Sequence, residues 1–183
     1  LTYAYYVGSK ELDGYRNALI LSGNAAGTTA AQMQLYAESI SKTVGTQHEA
    51  AAAIAEMVAT GRVAGTNLEY FGAVALKMEK TVGQAVSKTA EQFAELARNP
   101  VSASEKLNET TNYLTASLYA QIKALEAQGK AQEAGALAQK AFADALNSRM
   151  GEIKDNISWV ESGWKNITAA IKGAGDAVLM VGR

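Results

Sequence analysis

The feature that most constrains this fold is a pattern of glycines written twice. Residues 22–45 read SGNAAGTTAAQMQLYAESISKTVG, and residues 60–83 read TGRVAGTNLEYFGAVALKMEKTVG, at an offset of 38. The runs AGT and KTVG fall in one register, so that Gly23, Gly27 and Gly45 answer to Gly61, Gly65 and Gly83. Glycine reaches positive φ without a steric penalty, which makes it a natural helix end. Between these stops the chain is rich in alanine, the residue that costs least to fix in a helix, and the whole chain holds one proline. The expected fold class is therefore all-α: helical hairpins with short glycine turns, in a two-fold internal repeat, followed by a longer C-terminal helix. Units as small as 22–59 and 60–97 cannot bury an apolar face alone and stack on neighbours.

Helix starts are sought as capping boxes, in which a Ser or Thr oxygen accepts an early backbone N–H and an acidic residue three positions on reaches back. Thr46–Glu49, Thr66–Glu69 and Ser102–Glu105 fit that pattern. Asn99-Pro100 marks a stop, since proline cannot continue the helix before it. Helices are predicted near 9–22, 29–43, 47–60, 67–80, 85–98, 102–128 and 131–149, with a last one from about 152. The domain reading is a helical repeat region over 1–100, a helical hairpin over 101–150 and a C-terminal helix over 151–183. The chain opens at Leu1 rather than Met, so a piece of a longer polypeptide is expected.

The C-terminal third has its own period. Apolar residues fall at Phe142, Leu146, Met150, Ile153, Ile157, Val160, Trp164, Ile167 and Ile171, settling into alternating steps of three and four. That spacing makes the seam of a coiled coil or bundle helix. A lone exposed helix would leave the stripe wet, so the seam implies a partner in the preceding helices or in another copy of the chain. A kink is expected at one of Gly151, Gly163, Gly173 or Gly175.

Reactive chemistry is sought and not found. Seventeen basic and eighteen acidic residues, mixed along the chain, leave no clustered positive face for sequence-specific nucleic-acid binding. Apolar residues make up 48%, which separates the chain from disordered segments. Cysteine is absent, removing disulfides, thiolate metal sites and cysteine nucleophiles. The only histidine, His48, opens HEAAA, which starts like a zinc-protease helix, but Ala52 stands where the second ligand belongs. GAGDAV at 173–178 lacks the third glycine of a dinucleotide fingerprint, and EAQGKA has Ala124 in place of a phosphate loop's first glycine. No catalytic residue, cofactor or metal is expected, and the chain does not read as an enzyme.

Two other readings compete. The segment 125–146, with Gly129 followed by Ala131, Ala134, Ala138 and Ala141, looks like one tetratricopeptide hairpin, which would suit a helical-repeat binding scaffold. ITAAIKGAGDAVLMVGR, 167–183, could lie at a membrane interface, although Lys172 and Asp176 interrupt its apolar character.

Taken in order, ATGRVAGTNLEYF, TVGQAVSKTAEQFAELARNPVSASEKLNE, YLTASLYAQIKALEAQGKAQEAGALAQKAFADAL and GWKNITAAIKGAGDAVLMVGR resemble the domain of lambda-like prophage tail length tape measure proteins. The resemblance runs from about Tyr15 to Arg183. It implies a virion structural protein in the lumen of the phage tail tube, whose length sets the number of tube rings and which assists DNA ejection. It implies as partners other copies of itself, the tail tube protein, a tail assembly chaperone and the host membrane. Expression would be in a bacterial host cytoplasm, from a phage or prophage. The family has no active site to carry over.

Overall fold

Every regular element among the described residues is helical. The computed structural model describes residues 2–152, with side chains from residue 10 onward. In order these are α1 Thr2–Leu21, α2 Ala30–Ser41, α3 Gln47–Ala59, a single 3-10 turn Gly65–Asn67, α4 Leu68–Val82, α5 Val86–Arg98, α6 Pro100–Thr111 and α7 Ala116–Ala127. A further helix, α8, covers 131–152. The chain divides into two compact units, Leu1–Asn147 and Ser148–Arg183. Of the second unit the described residues are 148–152, which are helical, so Gly151 does not break its helix.

Local chemistry explains most boundaries. At Thr46 the predicted capping box is made: its Oγ accepts from the Glu49 N–H at 3.3 Å, and its own N–H donates to Glu49 Oε2 at 2.8 Å. The same device opens α2, with Gln32 in the acidic residue's place: Gln32 N–H donates to Thr29 Oγ1 at 3.2 Å and Thr29 N–H to Gln32 Oε1 at 3.1 Å. The other two boxes do not form. Asn67 stands at the start of α4 without a side-chain cap, and Glu69 accepts instead from Ser39 on α2 at 2.5 Å. Pro100 takes the first position of α6, where a missing N–H costs nothing, so Ser102 lies inside the helix and Glu105 accepts from Tyr119 on α7 at 2.6 Å.

The predicted helix 102–128 is two helices. Asn112 turns left-handed at φ 46, Asn108 Oδ1 accepts from the Leu114 N–H at 2.8 Å, and Thr115 caps α7. Thr110-Thr111-Asn112 is a poor helical run, and asparagine tolerates the left-handed corner better than other non-glycine residues. At the N-terminus α1 opens at Thr2, ahead of the predicted residue 9.

The core of the first unit is centred on α3, which packs against α1, α2, α4 and α5. Its buried residues Ala50, Ala51, Ala53, Ile54, Met57 and Val58 are mostly small, letting neighbouring backbones come close. Aromatic packing ties in the later helices. Phe71 of α4 stacks on Phe93 of α5 at 4.4 Å and 10°, and Phe93 meets Phe142 of α8 edge-on at 5.9 Å. Tyr113, in the α6–α7 corner, meets Phe142 at 5.2 Å. The chain has three phenylalanines, and all of them are in this stack. Full burial of one such side chain contributes roughly 1.5–3 kcal/mol.

Candidate functional site

The predicted turn glycines divide by role. Gly23, Gly27, Gly45, Gly61 and Gly83 have positive φ. Gly45 is the most constrained of these, because a Cβ there would also lie 2.9 Å from Leu76 Cδ2 and from Glu49 Oε2. Gly65 does not take a positive φ; it belongs to the 3-10 turn. Its role is close approach: its N–H donates to Ala26 O at 2.8 Å, and a Cβ would sit 2.7 Å from that oxygen. Thus the second AGT turn is hydrogen-bonded to the first.

Of the predicted seam, Phe142, Leu146 and Met150 are buried. Ile153, Ile157, Val160, Trp164, Ile167 and Ile171 lie outside the described residues, as do Gly163, Gly173 and Gly175. Within the first unit, Phe142 faces the aromatic stack described above.

Polar contacts gather on α3, α4 and α8. Lys80 pairs with Glu49, and that bond, with the Thr46 N–H, draws the exposed Glu49 carboxyl down to about 2. Tyr70 donates to Asp144 at 2.8 Å, and Lys77 to Asn147 Oδ1 at 2.9 Å. Burial, then the Asp144 bond, pushes the Tyr70 phenol up to about 12. Burial also pushes Tyr15 to about 12, with Glu11 and Glu38 adding to the effect; its hydroxyl has no hydrogen-bond partner. The buried hydroxyls of Tyr113 and Ser104 face each other without full hydrogen-bond geometry.

None of this assembles a reaction centre. His48 is an exposed helix residue with Glu11 Oε1 3.6 Å from its Nδ1. Among the described residues no group of three or more His, Cys, Asp or Glu could hold a metal, and no helix is long and apolar enough to cross a membrane. Two clefts remain. A groove of about 560 Å³ runs between α5 and α6, lined by Lys88, Glu91, Glu95 and Lys106 among others. A smaller pocket of about 220 Å³ lies where residues 61–67 cross the start of α8.

One residue in that crossing escaped the sequence reading. Gln139 is 3% exposed, and its Nε2 donates to Phe93 O at 2.8 Å and Arg62 O at 3.1 Å, tying three segments together. A signal for it existed: it stands three residues before Phe142 and seven before Leu146, on the apolar face of its own helix. A glutamine there must find partners.

A family model described as prophage tail length tape measure protein matches residues 1–123. The tape measure protein of Escherichia phage N15 is 30% identical over 183 residues, covering 100% of this chain and 22% of that protein. The tape measure protein of Escherichia phage lambda is 28% identical over 184 residues, again 100% of this chain and 22% of the relative. That of Pseudomonas phage PAJU2 is 23% identical over 169 residues, 92% of this chain and 18% of the relative. The chain thus spans about a fifth of the length of the relatives it matches. No solved structure matches.

Proposed function

This chain belongs to the prophage tail length tape measure protein family, and on that premise we propose that it is a length-bearing segment of the ruler around which a phage tail tube is built. In this reading the segment occupies the tube lumen, its length contributes to the number of tube rings, and the ruler later assists DNA passage at the host membrane. Its partners are the tail tube protein, a tail assembly chaperone and other copies of the chain, the last meeting through the part of the stripe from Ile153 to Ile171, since Phe142 and Leu146 are buried within the fold itself. It is made in the host cytoplasm, from a phage or prophage. The observation that carries the reading is the end-to-end match to a tape measure protein.

Physical chemistry supports it in two ways. A helix rises 1.5 Å per residue, so residue number converts linearly to length, and 183 helical residues laid end to end span about 270 Å. The first unit would have to open to reach that length, and a core this rich in alanine lowers the cost of opening. Thirteen of the thirty buried apolar side chains among the described residues are alanine. Each carries a single methyl, at about 0.8 kcal/mol per buried carbon, against roughly 1.5–3 kcal/mol for a leucine or phenylalanine.

The test is genetic and geometric. In the phage that carries this chain, residues 1–183 are deleted in frame or duplicated in tandem, and tail lengths are measured by electron microscopy. Tails should shorten and lengthen by similar amounts, up to about 270 Å. Tails of unchanged length in both variants would refute the ruler role.

A further inference from the structure

Within the first unit, burial thins out after Arg98. α3 and α4 each bury six residues, among them Ile54, Met57, Leu68 and Phe71. α6 buries three, Pro100, Ala103 and Ser104, and α7 buries one, Ile122. α6 packs on α5 and α7 packs on α6, whereas α3 packs against α1, α2, α4 and α5. Apolar burial is the main favourable term in folding, so α6 and α7 contribute little to holding themselves on the core. α8 carries most of the attachment. It reaches Phe93 through Gln139 and Phe142, and its links to α4, from Tyr70 to Asp144 and from Lys77 to Asn147, are single hydrogen bonds.

Two further observations fall on the same boundary. Both junctions are incompletely filled: the groove of about 560 Å³ separates α5 from α6, and the pocket of about 220 Å³ lies between Ala97 and the start of α8. Atoms that line such a space lack packing partners on one side. The buried hydroxyls of Ser104 on α6 and Tyr113 in the α6–α7 corner have no hydrogen-bond partner. Each is a cost to the closed form that contact with water would relieve. The joint is Asn99-Pro100, where α5 ends and where Pro100 has no N–H to bond back to α5.

We propose that α6, α7 and α8 as far as Asn147 detach from α1–α5 as one unit in a small fraction of molecules, hinging at Asn99-Pro100, while α1–α5 stay folded. Tyr113 on Phe142 and Tyr119 on Glu105 hold the three helices to one another as they move. The opening is the first step of the extension that the ruler reading requires, and its purpose rests on that reading. It is measured on the chain itself, so its failure is distinct from a failure of tail length to change.

The test is native-state amide hydrogen exchange of the 183-residue chain, followed by NMR. Amides of Ser104, Ile122 and Phe142 should share one protection factor, about tenfold or more below those of Ile54 and Val74. Ile54→Val is the discriminating variant, because it removes a fully buried methyl group from α3, which is folded in the closed and the detached forms alike. Protection in α3 and α4 should fall about fivefold, with that of α6, α7 and α8 unchanged. Equal protection across all these helices in the unsubstituted chain would overturn the proposal. So would an equal fall in all of them in Ile54→Val, or α8 amides as protected as those of α3.

Discussion

Two glycine-to-alanine substitutions of identical chemistry should move stability in opposite directions. Gly14 sits within α1, and a Cβ built there meets nothing within 4 Å. Alanine is preferred in a helix interior, so Gly14→Ala should stabilise the unit by about 0.5–1 kcal/mol. Gly135 lies within α8 and carries the same intrinsic preference, but its surroundings differ. A Cβ there would lie 3.0 Å from Ala97 Cα, 3.2 Å from Ala97 O and 3.4 Å from Leu96 O. These are backbone atoms of α5 and cannot rotate away. Carbon atoms rest comfortably at about 3.5–4.0 Å, so the two helices must part by roughly 0.5 Å. One turn along α8, that movement stretches the 2.8 Å bond from Gln139 to Phe93 O and the edge contact of Phe142 with Phe93. Overpacking costs about 1–3 kcal/mol and weakening of the hydrogen bond up to about 1 kcal/mol, against a helix gain of about 1 kcal/mol. The net for Gly135→Ala is destabilisation centred on about 1.5 kcal/mol and reaching at most about 3 kcal/mol. Urea unfolding followed by far-UV circular dichroism reads both variants against the parent, with midpoints compared at equal slope. If Gly135→Ala proved as stable as the parent or more so, the close α5–α8 contact would not be the constraint described.

Three further outcomes follow from individual contacts. Gly65→Ala should destabilise the unit by about 1–3 kcal/mol, because its Cβ would press on Ala26 O, an oxygen that already accepts the Gly65 N–H; thermal unfolding measures this. Tyr15→Phe removes a buried hydroxyl without a partner and should be neutral or stabilising by up to about 1 kcal/mol. The folded phenol is raised from 10.0 to about 12, so its contribution is present below pH 10 and is lost as pH climbs from 10 towards 12; the phenylalanine variant should lose less stability across that window, Tyr70 supplying the remainder. Glu49 has the opposite sign. Its folded value is lowered from 4.5 to about 2, so its contribution is present above pH 4.5 and fades as pH falls towards 2. Glu49→Gln keeps the capping geometry and should flatten the fall in melting temperature over that range, and added salt should shrink the difference because the pair is exposed.

Where the sequence could be read, the signal was local. The Thr46 box, the Asn99-Pro100 break and the Gly45 and Gly83 turns each satisfy their backbone groups within a few residues, so a short window contains the cause. Thr29 falls outside the Ser/Thr-x-x-Glu pattern because Gln32 plays the part of the glutamate. Thr66–Glu69 and Ser102–Glu105 misled because both carboxylates were claimed from other helices, by Ser39 and Tyr119. No window around residue 69 or 105 contains those hydroxyls. The split at Asn112 has a local cause in Thr-Thr-Asn, a poor helical run between stretches that favour helix.

By itself the sequence determined that this protein is helical, where most of its helices stop, and which family it belongs to, because propensity, glycine placement and a long colinear pattern are properties of the chain order. Tertiary structure decided which glycines make corners and which make room. Gly65 reads like Gly27 in the repeat, yet one needs a positive φ and the other needs the absence of a Cβ against a distant carbonyl. It also decided that Gln139 serves the core, since the two carbonyls that fix its amide come from segments 77 and 46 residues away. Hydrogen bonds and steric exclusion act through space over about 3 Å, and only folding brings such groups within that range.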